Sequence, residues 1–165
     1  MRAIILMGVA GSGKTTVGQA LSKASGLPFH DGDLYHPVAN IRKMASGIPL
    51  TDEDRLPWLR ALRGIIDEEF ARGQSLIMAC SALKRSYREI LGGKHVTFVH
   101  LRCEYGILYD RLRSRPGHYF RPEMLQSQFD ALEESSEALV IDASEDVESI
   151  VQAIQTRLTI QARSA

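Results

Sequence analysis

Gly8-Val9-Ala10-Gly11-Ser12-Gly13-Lys14-Thr15, residues 8–15, follows the apolar run Ala3–Met7 and precedes a segment of helical character. The octapeptide fits G-x-x-x-x-G-K-[ST] at every fixed position. Glycines let such a loop wrap with its backbone N–H groups pointing inward, and the N-terminus of the following helix adds positive potential. Gly8, Val9, Ala10, Gly11, Ser12 and Gly13 would form the cradle, with Thr16 beside it. Lys14 is placed to reach the β- and γ-phosphates of a nucleotide, and the Thr15 hydroxyl to ligate Mg²⁺. This reading displaces the one competing for "MRAIILMGVAG", a signal peptide with one basic residue and a short apolar stretch.

Outward from the loop, apolar runs at Ala3–Met7, Leu27–His30, Ser75–Cys80, Val96–Leu101 and Leu139–Asp142 read as buried strands separated by helical segments. Such alternation predicts an α/β fold with a parallel sheet. Apolar stripes at helical spacing run through Leu56, Leu59, Leu62, Ile65, Ile66 and Phe70, and through Val147, Ile150, Val151, Ile154 and Leu158, as core packing requires. Thr51 and Asp54 have capping-box spacing, predicting a helix from about Asp52 with Pro57 near its first turn. At 165 residues, without a linker or internal repeat, the chain reads as one domain spanning 1–165.

Twenty Lys plus Arg balance twenty Asp plus Glu. No global field therefore draws the protein to nucleic acid or to an anionic membrane. No apolar run approaches the roughly 20 residues that span a bilayer. Cys80 and Cys103 lack zinc-ligand or CxxC spacing and read as reduced, buried thiols of a cytoplasmic protein.

A phosphate loop does not name the chemistry. Neither N-K-x-D nor D-x-x-G occurs, which argues against a GTP switch, and "SLIMAC" runs into Ser81-Ala82-Leu83-Lys84 without the Walker-B acid of motor and transport ATPases. The acid is therefore expected elsewhere. Asp31 and Asp33 follow the second strand, and alternate residues of an extended segment face one side, so both carboxylates can enter one site. His30 and His36 lack the further ligands that a zinc site needs. Between Arg111 and Arg121, "RLRSRPGHYFR" carries four arginines and a Pro-Gly hinge, as suits a mobile lid over a transferring phosphoryl group. His36, Arg55, Lys84 and Arg88 are cationic, or become so on protonation, and suit a small anionic acceptor such as a sugar acid.

Four stretches carry a family resemblance: "MGVAGSGKTT", "DGDLYHPVANIRKMASGIPLTDEDRLPWL", "CSALKRSYREIL", and "GHYF" followed by "MLQSQFDALE". Together they resemble gluconokinase, the small ATP-dependent kinase that makes 6-phosphogluconate, in the broad fold of shikimate kinase. The long second motif separates the chain from shikimate and adenylate kinases. The resemblance implies a P-loop kinase core: a five-stranded parallel sheet with helices on both faces, a lid at about residues 113–122, ATP and Mg²⁺ as cofactors, D-gluconate as substrate and a homodimer. By analogy with the D-x-D of shikimate kinases, Asp31 would hold Mg²⁺ through water, and Asp33 would bind and orient the accepting hydroxyl, with a base role open to it. Arg111 and Arg115 match the basic lid entrance and would face ATP. Tyr119 stands where phenylalanine is common. A kinase of another aldonate or of a shikimate-like acid, and a nucleotide-binding sensor without turnover, remain as alternatives.

Overall fold

The computed structural model describes residues 1–114 and 122–160. Arg115, Tyr119 and most of the expected lid lie outside the described residues. Among those described, five strands form one parallel sheet: β1 (Ala3–Met7), β2 (Phe29–Asp31), β3 (Leu76–Ala79), β4 (Val96–Arg102) and β5 (Leu139–Asp142). Their order across the sheet is β2-β3-β1-β4-β5. The helices are α1 (Lys14–Ser25), α2 (Val38–Ala45), α3 (Asp52–Ala71), α4 (Arg85–Leu91), α5 (Tyr105–Arg113), α6 (Leu125–Ala131) and α7 (Val147–Leu158).

All five residues of β1 are buried, because the central strand of a parallel sheet has helices on both faces. Ile4 and Leu6 join Val17 and Leu21 of α1 and Ile150 and Ile154 of α7 on one face. Ala3, Ile5 and Met7 join Trp58, Leu59, Leu62 and Ile66 of α3, with Tyr87 and Leu91 of α4, on the other. The two predicted helical stripes supply the two core faces except at their starts, where Val147 is exposed and Leu56 joins neither cluster. Cys80 and Cys103 are free and buried; burial pushes the Cys80 thiol up to about 12 and raises that of Cys103 as well. None of the described helices is long and apolar enough to cross a membrane.

Three strand boundaries and the place of Pro57 differ from the sequence reading: β3 is shorter, at Leu76–Ala79, and β4 runs one residue further, to Arg102. β2 begins at Phe29 and includes Asp31, with Phe29, His30 and Asp31 in register with Ile77, Met78 and Ala79 of β3. α3 does begin at Asp52, with Thr51 and Asp54 making both capping-box bonds, but this places Pro57 in the second turn. It lies there on the exposed side of the helix, where the lost backbone donor faces water.

The chain leaves β1 toward the β3–β2 side and leaves β3 toward β4, so the sheet reverses its winding between β1 and β3. Open parallel sheets bind ligands at the carboxyl ends of their strands at such a switch point. The octapeptide follows β1 there, Asp31 ends β2, and Ser81 lies just past β3. Gly32 makes the convergence close: a Cβ at this position would lie 2.4 Å from the Ala79 carbonyl oxygen of β3. Gly32→Ala is expected to destabilise the fold by about 1–3 kcal/mol through overpacking, read as a lower urea midpoint at an unchanged m-value.

Candidate functional site

The loop after β1 folds as its glycines dictate. Gly8, Gly11 and Gly13 have φ of 142, 80 and 90°, a region that disfavours residues with a Cβ. At Gly8 a Cβ would also come within 2.9 Å of the Leu101 carbonyl oxygen. The Gly8 N–H donates to the Ser81 carbonyl at 3.2 Å, which fixes the loop to the end of β3. Lys14 Nζ lies across the loop mouth, donating to the carbonyl oxygens of Gly8 and Val9 at 3.0 Å each. The Ser12 hydroxyl is buried and has no hydrogen-bond partner among the described residues. A cradle that admits no side chain, with an ammonium group at its mouth and an orphaned hydroxyl in its wall, fits a bound phosphate.

Asp31 meets this loop directly. Its Oδ2 accepts from Thr15 Oγ1 at 2.9 Å, and its Oδ1 accepts from the Asp33 N–H at 3.1 Å. The second bond caps the short 3₁₀ turn Gly32–Tyr35 and aims the following residues. A hydroxyl and a carboxylate joined in this way form a hard oxygen donor set of the kind Mg²⁺ takes, directly or through water.

Two clefts flank the loop. One is lined by Lys14, Thr15 and Thr16 together with Asp33, His36 and Arg55, and is closed by an apolar wall of Met44, Leu50 and Trp58. The other lies between the loop, α5 and α7, and is lined by Gly11, Gly13, Thr16, Arg111 and Val147 among others. Arg111 is held at its edge, with Nη1 donating to the Ala143 carbonyl at 2.9 Å.

Of the four cationic candidates for an acceptor, the structure brings His36 and Arg55 to the first cleft and directs Lys84 and Arg88 elsewhere. Arg55 Nη1 donates to the Leu50 carbonyl, and its guanidinium sits 5.7 Å from the centroid of the Tyr87 ring. Lys84 Nζ donates to both carboxylate oxygens of Asp52, at 2.7 and 2.9 Å, while the Tyr87 hydroxyl donates to the same Asp52. These bonds hold the Asp52 carboxyl below its usual range and raise the Lys84 ammonium above its own. Arg88, 8% exposed, donates through Nη1 to the Ala82 and Leu83 carbonyls at 3.0 and 2.9 Å. It thereby satisfies the backbone where Ala82 takes a φ of 43°. These two bonds give it a structural role at the end of β3.

His36 is held in its neutral form near pH 7. Burial, with the Arg55 charge adding to it, lowers its pKa to about 4 against an opposing pull from Asp33. Its ring stacks on Trp58, with centroids 4.1 Å apart and planes 15° apart. Trp58, Ser81 and Gln128 are site residues that sequence reasoning missed. Gln128 Oε1 accepts the Ala10 N–H of the loop at 2.6 Å, from a helix 118 positions away, and no local signal foretells that contact. Trp58 lay within the long second motif, but no role was read for it there.

A phosphate loop at the switch point of a five-stranded parallel sheet, with Asp31 bonded to its Thr15 and Asp33 facing it across a cleft, defines a P-loop kinase. The family model for the AAA domain matches residues 4–141. The gluconokinase of Gluconobacter oxydans (strain 621H) is 46% identical over 134 residues, covering 80% of this chain and 75% of that protein. The thermoresistant gluconokinase of Escherichia coli (strain K12) is 40% identical over 156 residues, covering 89% and 87% respectively. A crystal structure of a gluconokinase from Sinorhizobium meliloti 1021 superposes with a TM-score of 0.82 at 40% identity, over 95% of this chain and 93% of that one. The chain belongs to the gluconokinase family.

Arg88→Met tests this backbone role, since it leaves the buried Ala82 carbonyl without its side-chain donor and the Leu83 carbonyl with the Glu133 N–H alone. It is expected to lower unfolding stability by about 1–3 kcal/mol while leaving the KM of the acceptor unchanged. Urea denaturation and steady-state kinetics on the same preparation check both halves.

Proposed function

We propose that the protein transfers the γ-phosphoryl group of ATP to the 6-hydroxyl of D-gluconate, giving 6-phospho-D-gluconate and ADP. The observation that carries this reading is the single cleft in which Lys14 and Thr15 of the phosphate loop face Asp33, His36 and Arg55. The likeness to gluconokinases over most of the chain supports the choice of acceptor.

In this reading the loop from Gly8 to Gly13, with Thr16, cradles the phosphates, and Lys14 leaves its carbonyl partners to neutralise charge on the migrating group. Thr15 and Asp31 would hold Mg²⁺, which when bound neutralises charge on the phosphate oxygens. Asp33 receives the accepting hydroxyl, orients it toward the phosphorus and is placed to take its proton. Arg55 meets the gluconate carboxylate. Arg111 sits on the nucleotide side, and Arg115 would join it from the lid at about residues 113–122. The mode of catalysis is therefore positioning plus charge neutralisation. We further read the protein as one kinase domain over 1–165, working as a cytoplasmic homodimer, an assembly that sedimentation of the purified protein would test.

ADP release is expected with gluconate and not with shikimate, AMP or a neutral polyol, in a coupled assay at matched acceptor concentrations. Equal rates across sugar acids would favour the kinase of another aldonate. ATP binding without acceptor-dependent ADP would favour a sensor. Lys14→Ala is expected to lower kcat by about 10²–10³-fold through loss of one charge-stabilising donor. Asp33→Asn, which keeps size but cannot take a proton, is expected to lower it by about 10²–10⁴-fold.

A further inference from the structure

His36 enters the cleft in an orientation that three neighbours impose. Its ring lies flat on Trp58, and the indole is itself locked, being buried, with Nε1–H donating to the Gly32 carbonyl at 2.7 Å. Asn40 of α2, only 4% exposed, sits at the ring edge. Its amide nitrogen donates to the Asp54 backbone carbonyl at 2.8 Å and stands 3.5 Å from His36 Nδ1.

Which end of the Asn40 amide is nitrogen follows from chemistry, because a carbonyl can only accept. The group turned toward His36 is thus an NH₂, which can only donate, so Nδ1 must offer a lone pair. The one proton of the neutral ring then resides on Nε2, which has no protein partner among the described residues. Asp54, which fixes Asn40, is itself held by its capping-box bonds to Thr51 and by Lys43 Nζ at 2.6 Å. The charged groups facing the ring are Asp33 on its own segment and Arg55 from α3, of opposite sign.

We propose that His36 reads a hydroxyl of the acceptor as a neutral hydrogen-bond donor through Nε2–H, and that Asn40 is the positioning residue that sets this tautomer. The inference rests on the cleft being the site of a polyhydroxy acid. It divides recognition between two groups: Arg55 takes the carboxylate, and His36 takes a hydroxyl along the chain. A substrate with the carboxylate but without that hydroxyl would leave Nε2–H desolvated and unpaired, a costly state in a cleft walled by Met44, Leu50 and Trp58.

Long-range ¹H–¹⁵N NMR of the labelled protein at about pH 7 reads the tautomer without any assay of activity. The expected spectrum of His36 is protonated Nε2 with unprotonated Nδ1, and Asn40→Asp should move the proton to Nδ1, where a carboxylate would accept it. An imidazolium or an Nδ1–H form in the wild-type protein overturns the proposal. In kinetics, His36→Leu should raise the acceptor KM about tenfold, the loss of one hydrogen bond, with the KM of ATP unmoved. His36→Gln, which offers a neutral N–H, should restore most of that loss and His36→Lys should not; rescue by Lys and not by Gln also overturns it. The wild-type acceptor KM should stay level between about pH 6 and 8, because the ring is already neutral there, whereas a cationic role predicts a KM that climbs as pH rises through this range. The gluconate reading fails separately: a wild-type protein with the predicted tautomer but no gluconate-dependent ADP has a different acceptor.

Discussion

The backbone of Gly32 is pressed between two partners that leave no room for a side chain. On one side lies the Ala79 carbonyl of β3; on the other, the Trp58 indole N–H of α3 closes on the Gly32 carbonyl. Everything on the acceptor side depends on this contact. It holds Asp31 against Thr15 and presents Asp33 to the cleft one residue later, and it sets the indole plane on which His36 stacks. A dipeptide step that looks like an ordinary polar turn, Asp-Gly-Asp, is in this setting a joint between the sheet, the phosphate loop and the longest helix.

The same logic explains why α3 begins where it does. Its cap is shared: Asp54 closes the capping box with Thr51 and at the same time holds Lys43, while its backbone carbonyl holds Asn40 of α2. Asp52, at the first helical position, takes Lys84 and Tyr87 from the segment after β3. One helix N-terminus thus gathers α2 and the start of α4. Acidic residues are favoured there by the helix dipole and by unpaired backbone N–H groups. Stability and site geometry are served by the same carboxylates.

What could be read from the sequence was local. The octapeptide, the five strands, the capping box and the D-x-D pair each announce themselves within a few residues, because glycine torsions, strand burial and cap chemistry act at short range. Charge was read less well, because a side chain's partner is set by the fold. Lys84 and Arg88 looked available for a substrate until Asp52, 32 positions away, and the carbonyls of Ala82 and Leu83 claimed them. His36 looked ionisable until Trp58 covered one face and burial lowered its pKa. In each case the residue was noticed, and its partners in the fold were not.

This bears on how a chain with zero net charge can handle anions. Among the described residues, several of its positive charges are committed to specific partners: Lys43 to Asp54, Lys84 to Asp52, and Arg88 to buried carbonyls. In the acceptor cleft, Lys14 stands at the phosphate loop and Arg55 on the opposite helix, with the neutral ring of His36 and the carboxylate of Asp33 sharing the same walls. Such a site discriminates by arrangement more than by field strength. With the proposed roles of Arg55 and His36, an anion with no hydroxyls would meet one guanidinium and an unpaired ring donor, whereas a polyhydroxy acid would satisfy both, and in a partly apolar cleft the unsatisfied donor would weigh as much as the attractive charge.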